Sequence, residues 1–154
     1  MRIYLMARYQ RYPEMQVVAE RLVAMGHTIV SRWIWGEHAA SDDAIGTGTI
    51  NELERRFAEE DVADLQIAEC CIGFSELPGT INRGGRFVEL GMALAWGKRV
   101  MVVGGKENVF HALPQVEHVH GLDDLLQAIG RVAPVPVRKN AEAMALLDKW
   151  YGEF

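Results

Sequence analysis

Two carboxylates in this chain sit where apolar side chains would be expected, and they are its clearest chemical promise. Glu89 lies in the run Arg86-Phe87-Val88-Glu89-Leu90-Gly91-Met92-Ala93-Leu94-Ala95-Trp96. If that run is helical, the i, i+3, i+4, i+7 rule puts Glu89 on one face with Met92, Ala93 and Trp96. The same reading places it in the first helical turn, where unpaired backbone N–H groups and the helix dipole favour the ionised form. An ionised, partly desolvated carboxylate at a ligand-binding edge suits nucleophilic attack on an anomeric carbon. The plainer alternative is a helix-start glutamate that interacts only with the dipole. Asp61 repeats the anomaly, four residues after Phe57 and four before Leu65 in an otherwise apolar stripe. A buried carboxylate needs a partner. It either exchanges a proton with a departing group or forms a cap or an ion pair with an arginine such as Arg55 or Arg8.

Further candidates surround this pair. Tyr4 falls in an opening strand-like run, where alternation sets Tyr4 and Met6 opposite Ile3 and Leu5. It is either a core tyrosine or a phenol that orients Glu89, since a nucleophile works only in fixed geometry. The segment Leu77 to Gly85 brings Thr80, Asn82 and Arg83 among glycines just before a helix, a setting in which backbone N–H groups can bind an oxyanion. Its glycines follow no Walker or dinucleotide spacing, which argues against ATP and NAD. Arg8, Arg11 and Arg32 could grip a phosphate or be solvated surface arginines. Trp33 and Trp35 could stack on a nucleobase or pack in a core. The histidines show no HExxH spacing, and adjacent Cys70 and Cys71 match a buried strand better than a zinc site, so no metal is expected.

The elements that must hold these residues follow from periodicity. Strands are expected over Arg2 to Ala7, His27 to Trp35, Cys70 to Phe74, Arg99 to Val103 and Val116 to Val119. Helices are expected over Pro13 to Met25, ended by Gly26; from a Thr49 cap through Ile50, Leu53, Phe57, Leu65 and Ala68; over about Arg86 to Trp96; over Leu122 to Val132; and over Ala141 to Tyr151. Gly36 to Gly48 reads as a long loop suited to a lid, and Pro134-Val135-Pro136-Val137 as extended chain. Alternating strands and helices predict an α/β, Rossmann-like three-layer sandwich with a mainly parallel five-stranded sheet. Ligands of such sheets bind beyond the carboxyl ends of the strands.

Bulk composition agrees. The 154 residues, 49% hydrophobic and 24% charged, fit one globular domain over residues 1–154 with a peripheral tail over 134–154. A net charge of −5 disfavours nucleic-acid binding. With neither a long apolar run nor a secretory pattern, no membrane partner and a cytoplasmic location are expected.

Taken together, Arg2-Ile3-Tyr4-Leu5, Glu60-Asp61, Cys70 to Phe74 and above all Gly84-Gly85-Arg86-Phe87-Val88-Glu89-Leu90-Gly91-Met92-Ala93-Leu94-Ala95-Trp96-Gly97-Lys98 resemble the nucleoside 2-deoxyribosyltransferase family. That family includes the related 2′-deoxynucleoside 5′-monophosphate N-glycosidases. The resemblance spans roughly residues 1 to 105, and its Glu-Leu-Gly-x-Ala-x-x-x-Gly-Lys pattern maps the catalytic glutamate onto Glu89. It implies a covalent deoxyribosyl-Glu89 intermediate, with transfer to another base or to water, Tyr4 holding the nucleophile and Asp61 serving the base. It also implies homodimers or larger homo-oligomers with shared active sites, Asn108 being the residue lent to a neighbour. No cofactor is implied.

One departure concerns the substrate. Transferases of the family often carry an acidic residue six positions before the nucleophile, where this chain has Arg83. An arginine there suits a phosphate, yet Arg8-Tyr9-Gln10-Arg11 lacks the Gly-Ser phosphate loop of the glycosidases. Substrate contacts are expected from Arg8, Trp33, Arg83, Gly85, Arg86 and Asn108, with a nucleoside or its 5′-monophosphate as ligand. The competing reading is a catalytically silent nucleotide-binding or sensor module on the same fold. A purely structural domain would leave both carboxylates unexplained.

Overall fold

The computed structural model describes residues 1–36, 38, 51–80 and 84–130. Its centre is a five-stranded sheet, all parallel, in the order β2-β1-β3-β4-β5. The strands are β1 (Arg2–Met6), β2 (Thr28–Ile29), β3 (Cys70–Phe74), β4 (Arg99–Val103) and β5 (Val116–Val119). The helices are α1 (Tyr12–Ala24), α2 (Glu52–Ile67), α3 (Gly85–Ala95) and α4 (Leu122–Ile129). A parallel sheet covered on both faces reads as continuous apolar runs, and Ile3 to Met6, Cys70 to Ile72 and Val100 to Val103 are buried accordingly. Helices α2 and α3 touch each other and β1 on one face. On the other face the end of α1 meets the end of α4, where Met25 lies beside Gly130.

The second strand is much shorter than the sequence implies. It stops at Ile29, and Arg32–Trp35 forms a 3-10 turn. The cause is local competition for the edge of β1. The Leu5 N–H donates to Ser31 Oγ at 2.6 Å, and the Leu5 carbonyl accepts from Trp33 Nε1 at 2.8 Å. Two side chains thus take the backbone bonds that a longer strand would have used.

Helix α2 begins with a capping box. Asn51 Oδ1 accepts from the Leu53 N–H at 2.9 Å, and Glu54 reaches back to the Asn51 N–H at 3.4 Å. Asn51, not Thr49, is therefore the cap. Leu53 is 43% exposed, and the buried residues of α2 are Asp64 and Leu65 rather than the full apolar stripe. Helix α4 ends at Ile129. Thr49, Ile50, most of the Gly36 to Gly48 loop, Asn82, Arg83 and the tail from Arg131 onward, with its expected extended and helical segments, lie outside the described residues.

The strand order reverses between β1 and β3, so the loops that follow these strands part from each other at the carboxyl edge. In open parallel sheets that divergence is where a crevice forms.

Candidate active site

Strand alternation turns Tyr4 toward α2 and α3, and its hydroxyl donates to Glu89 Oε1 at 3.0 Å. Asp61, from the middle of α2, completes the group. The Tyr4 hydroxyl is near enough to favour its ionised form, and Asp61 Oδ1 is buried without a hydrogen-bond partner. Three side chains picked out separately in the sequence thus meet beside the β1 and β3 divergence. Among the described residues, neither carboxylate has an ion-pair partner within 4.0 Å.

The electrostatics follow from that isolation. Burial, and then the charge of Asp61, push Glu89 up to about 8 from 4.5, against the Tyr4 hydrogen bond and the more distant Arg86. Burial pushes Asp61 up to about 6 from 3.8, although His38 and the Tyr4 hydroxyl work the other way. Tyr4 itself is raised well above the usual phenol range by burial and by both carboxylates. The expectation that the helix start would ionise Glu89 is therefore corrected. Gly84, in the left-handed region at φ +84°, caps a helix that starts at Gly85, so Glu89 is its fifth residue. It lies beyond the first turn, to which the dipole's influence is largely confined. Desolvation dominates instead. Interacting carboxylates titrate as a pair, and near neutral pH this one retains one proton between its two members.

The remaining candidates have other engagements. Arg8 Nη1 lies 3.9 Å from Glu76 Oε2 and makes no pair with Asp61. Arg55 pairs with Glu52 and, at 3.9 Å, with Glu59. Arg86 is buried in a two-pronged pair with Glu107, Nη2 donating to Oε1 at 2.6 Å, and its Nη1 also donates to the Phe74 carbonyl at 3.3 Å. Burial opposes the Glu107 charge, but Arg86 and the Glu76 N–H hold that carboxyl below its usual range. Asn108 caps a 3-10 turn over Val109–Ala112 through the Phe110 N–H at 2.9 Å. Gly85 is exposed, with open space where a Cβ would stand. Trp33 is 5% exposed and its N–H is taken by Leu5, so it packs in the core rather than offering a face for stacking, whereas Trp35 is 54% exposed.

His38 and Asp64, beside the site, were not singled out from the sequence. Buried His38 stacks on Phe57 with ring centroids 4.5 Å apart and brings Nε2 to 3.0 Å from Glu60 Oε2. Arg32 joins the same side, donating from Nε to Asp64 Oδ1 at 2.9 Å and from Nη2 to the Glu60 carbonyl at 3.0 Å. A lone histidine in a polar loop carries no spacing signal, so only the fold exposes this cluster. A shallow, solvent-open depression lies on the Arg86 side of α3, between Met6, Phe74, Leu90 and His111. Tyr4, Asp61 and Glu89 do not line it. Among the described residues, no three His, Cys, Asp or Glu side chains are grouped to hold a metal ion, and no helix is long and apolar enough to cross a membrane.

Solved structures share this fold. A 2-deoxyribosyltransferase from Bacillus psychrosaccharolyticus superposes with a TM-score of 0.63 at 17% identity, covering 87% of this chain and 98% of that one. A CMP N-glycosidase from Clostridium botulinum gives 0.55 at 17% identity, covering 84% and 98%. A conserved protein from Enterococcus faecalis V583 gives 0.53 at 18% identity, covering 84% and 96%. No family model matches the sequence, and no curated protein matches it either. The likeness to these chains is one of fold, at 17% to 18% identity.

Proposed function

We propose that this chain cleaves the N-glycosidic bond of a nucleoside or its 5′-monophosphate, with Glu89 as nucleophile. The observation that carries the reading is the Tyr4 hydroxyl set between two largely desolvated, half-buried carboxylates that have no ion-pair partner among the described residues. Such a pair, holding one proton, contains both groups the reaction needs. The shared proton, held chiefly by Glu89 in the free site, first passes to Asp61; the Glu89 carboxylate so formed attacks the anomeric carbon as the bond to the base breaks, and Asp61 delivers the proton to the departing base. The product is a glycosyl ester on Glu89. Asp61, now ionised, takes a proton from an incoming base or water as that acceptor attacks the same carbon and frees Glu89. Tyr4 fixes the attack geometry by holding one oxygen of Glu89. A transferase and an N-glycosidase among the structures that share the fold act on the same kind of bond. The 2′-deoxy preference follows from the family resemblance alone.

The reading extends to a single domain over residues 1–154 and to a homo-oligomer with shared sites. Exposed Val109 and Phe110 beside Asn108, at 73% and 63%, suit a subunit contact that carries Asn108 to a neighbour. The test is chromatography of the protein incubated with deoxynucleosides, ribonucleosides and their 5′-monophosphates, with and without a free acceptor base, alongside Glu89→Ala. Release of base that depends on Glu89 is the expected result, and its dependence on acceptor separates transfer from hydrolysis. Full activity in Glu89→Ala removes the mechanism. Tight binding with no release assigns the chain to the silent sensor class.

A further inference from the structure

Glu76 is a buried carboxylate that this reaction does not use. It stands two residues beyond β3 with its side chain 9% exposed. Its Oε1 accepts from Arg11 Nη1 at 3.1 Å, and its Oε2 lies 3.9 Å from Arg8 Nη1. Its backbone N–H meanwhile donates to the Glu107 carboxylate. One residue therefore ties together the loops that follow β1, β3 and β4, at the edge where β1 and β3 diverge. Arg11 is held further by Glu14 at 2.7 and 2.8 Å and by the Ser75 carbonyl at 3.0 Å. Among the described rim cations Arg8, Arg11, Arg86 and Lys106, only the exposed Lys106 has no carboxylate within 4.0 Å among the described residues.

Arginines recognise a phosphate through guanidinium N–H groups that are free to turn toward it. Here the Arg11 groups already address Glu14, Glu76 and the Ser75 carbonyl, while Arg8 lies 3.9 Å from Glu76, its charge offset without a hydrogen bond. If a substrate whose anomeric carbon meets Glu89 extends its 5′ side along this rim, a phosphate placed there approaches Glu76 and Glu14, both of like sign. Resting on the glycosidic reading above, we infer that Glu76 is a specificity residue: by neutralising Arg8 and Arg11 it makes the site take the uncharged nucleoside over its 5′-monophosphate.

The test compares kcat/KM for a nucleoside and its 5′-monophosphate in wild type, Glu76→Gln and Arg8→Gln, at low and high salt, with a thermal melt of each protein. Wild type is expected to favour the nucleoside by about tenfold, the ratio that one favourable ion pair's worth of affinity produces. Glu76→Gln should erase most of that preference by lowering KM for the monophosphate, and high salt should remove the gain. Arg8→Gln should leave the ratio near the wild-type value. A wild type that prefers the monophosphate overturns the inference, as does a folded Glu76→Gln with an unchanged ratio. If Glu76→Gln fails to fold, Arg8→Gln decides: selective loss of monophosphate turnover would show that Arg8 grips the phosphate. Calorimetric binding of the same two compounds separates the two levels of argument. Tighter nucleoside binding without base release sinks the reaction and keeps the specificity, base release with monophosphate preferred does the reverse, and no binding of either compound overturns both.

Discussion

Replacing Glu89 with glutamine tests the electrostatics of the site without any substrate. The Glu89 carboxyl is pushed from 4.5 to about 8 by burial and by Asp61. An acid whose pKa is higher folded than unfolded binds protons more tightly in the folded protein. Its contribution to stability is therefore fully present below the unfolded value and is lost as pH rises through the folded value. Each pH unit between the two values is worth about 1.36 kcal/mol, so the ionised form carries a penalty of at most about 5 kcal/mol. Partial solvent contact and sharing of the proton with Asp61 reduce the expected figure to about 2–3 kcal/mol. Glutamine keeps the shape and an acceptor for Tyr4 but never ionises. Urea unfolding of both proteins from about pH 5 to about pH 9 should show wild type losing that amount relative to Glu89→Gln progressively as pH rises toward about 8, with the difference levelling off above it. His27 and His111, both lowered chiefly by burial, are common to the two proteins and cancel in the difference. Parallel stability curves, or a wild type that gains on the variant with rising pH, would refute the burial argument.

The same pair predicts a bell-shaped pH dependence of kcat/KM, falling below about 6 as the second proton binds and above about 8 as the last is lost; a flat profile across that range would exclude a one-proton pair. Tyr4→Phe should lower kcat by about 10- to 100-fold through lost positioning. It should also move the upper limb to higher pH, because the Tyr4 hydrogen bond favours ionised Glu89, and an unmoved limb would count against that contact. Arg86→Ala strands Glu107 in a partly buried setting and should destabilise the fold by about 3–5 kcal/mol in denaturant titration. Gly104→Ala places a Cβ 3.1 Å from Ser75 Cβ at a backbone φ of +102° and should cost about 1–3 kcal/mol, read by the shift of the thermal midpoint.

The sheet was legible in the sequence because buried parallel strands announce themselves as short apolar runs between glycines. Cys70 to Phe74, Arg99 to Val103 and Val116 to Val119 fall where the pattern puts them. The run from His27 to Trp35 carries the same signal but ends as a strand at Ile29. Its failure was not legible, since it depends on Ser31 and Trp33 side chains reaching Leu5, a tertiary event that propensity does not encode. For the site, an acid on an apolar stripe was a sufficient flag: Asp61 and Glu89, separated by 28 positions, do come together. The charge state was not legible, because the sequence pattern puts Glu89 one residue too near the helix start and carries no measure of desolvation. Arg8 and Arg86 could be counted in the sequence, but their partners Glu76 and Glu107 could not be assigned to them.

That assignment explains why the carboxylate pair is available at all. A buried acid is normally quieted by a cation, and this chain has arginines at hand on every side of the crevice. Among the described residues these are given to other acids: Arg8 and Arg11 to Glu76, Arg11 also to Glu14, Arg86 to Glu107 and Arg32 to Asp64. If one of them reached Glu89, the carboxylate would fall back toward its ordinary range, hold no proton at neutral pH, and lose nucleophilic reach to its ion pair. Separate pairing of the cations leaves Glu89 and Asp61, among the described residues, with each other and Tyr4 as near partners and only longer-range help from His38, Arg32 and Arg86, which is the condition for sharing a proton. The penalty that Glu89→Gln should relieve and the reactivity proposed for the site therefore have one cause. A variant that brings a cation to the pair, such as Met92→Arg, three residues on along the Glu89 face, with the fold intact, should gain stability at high pH and lose turnover together.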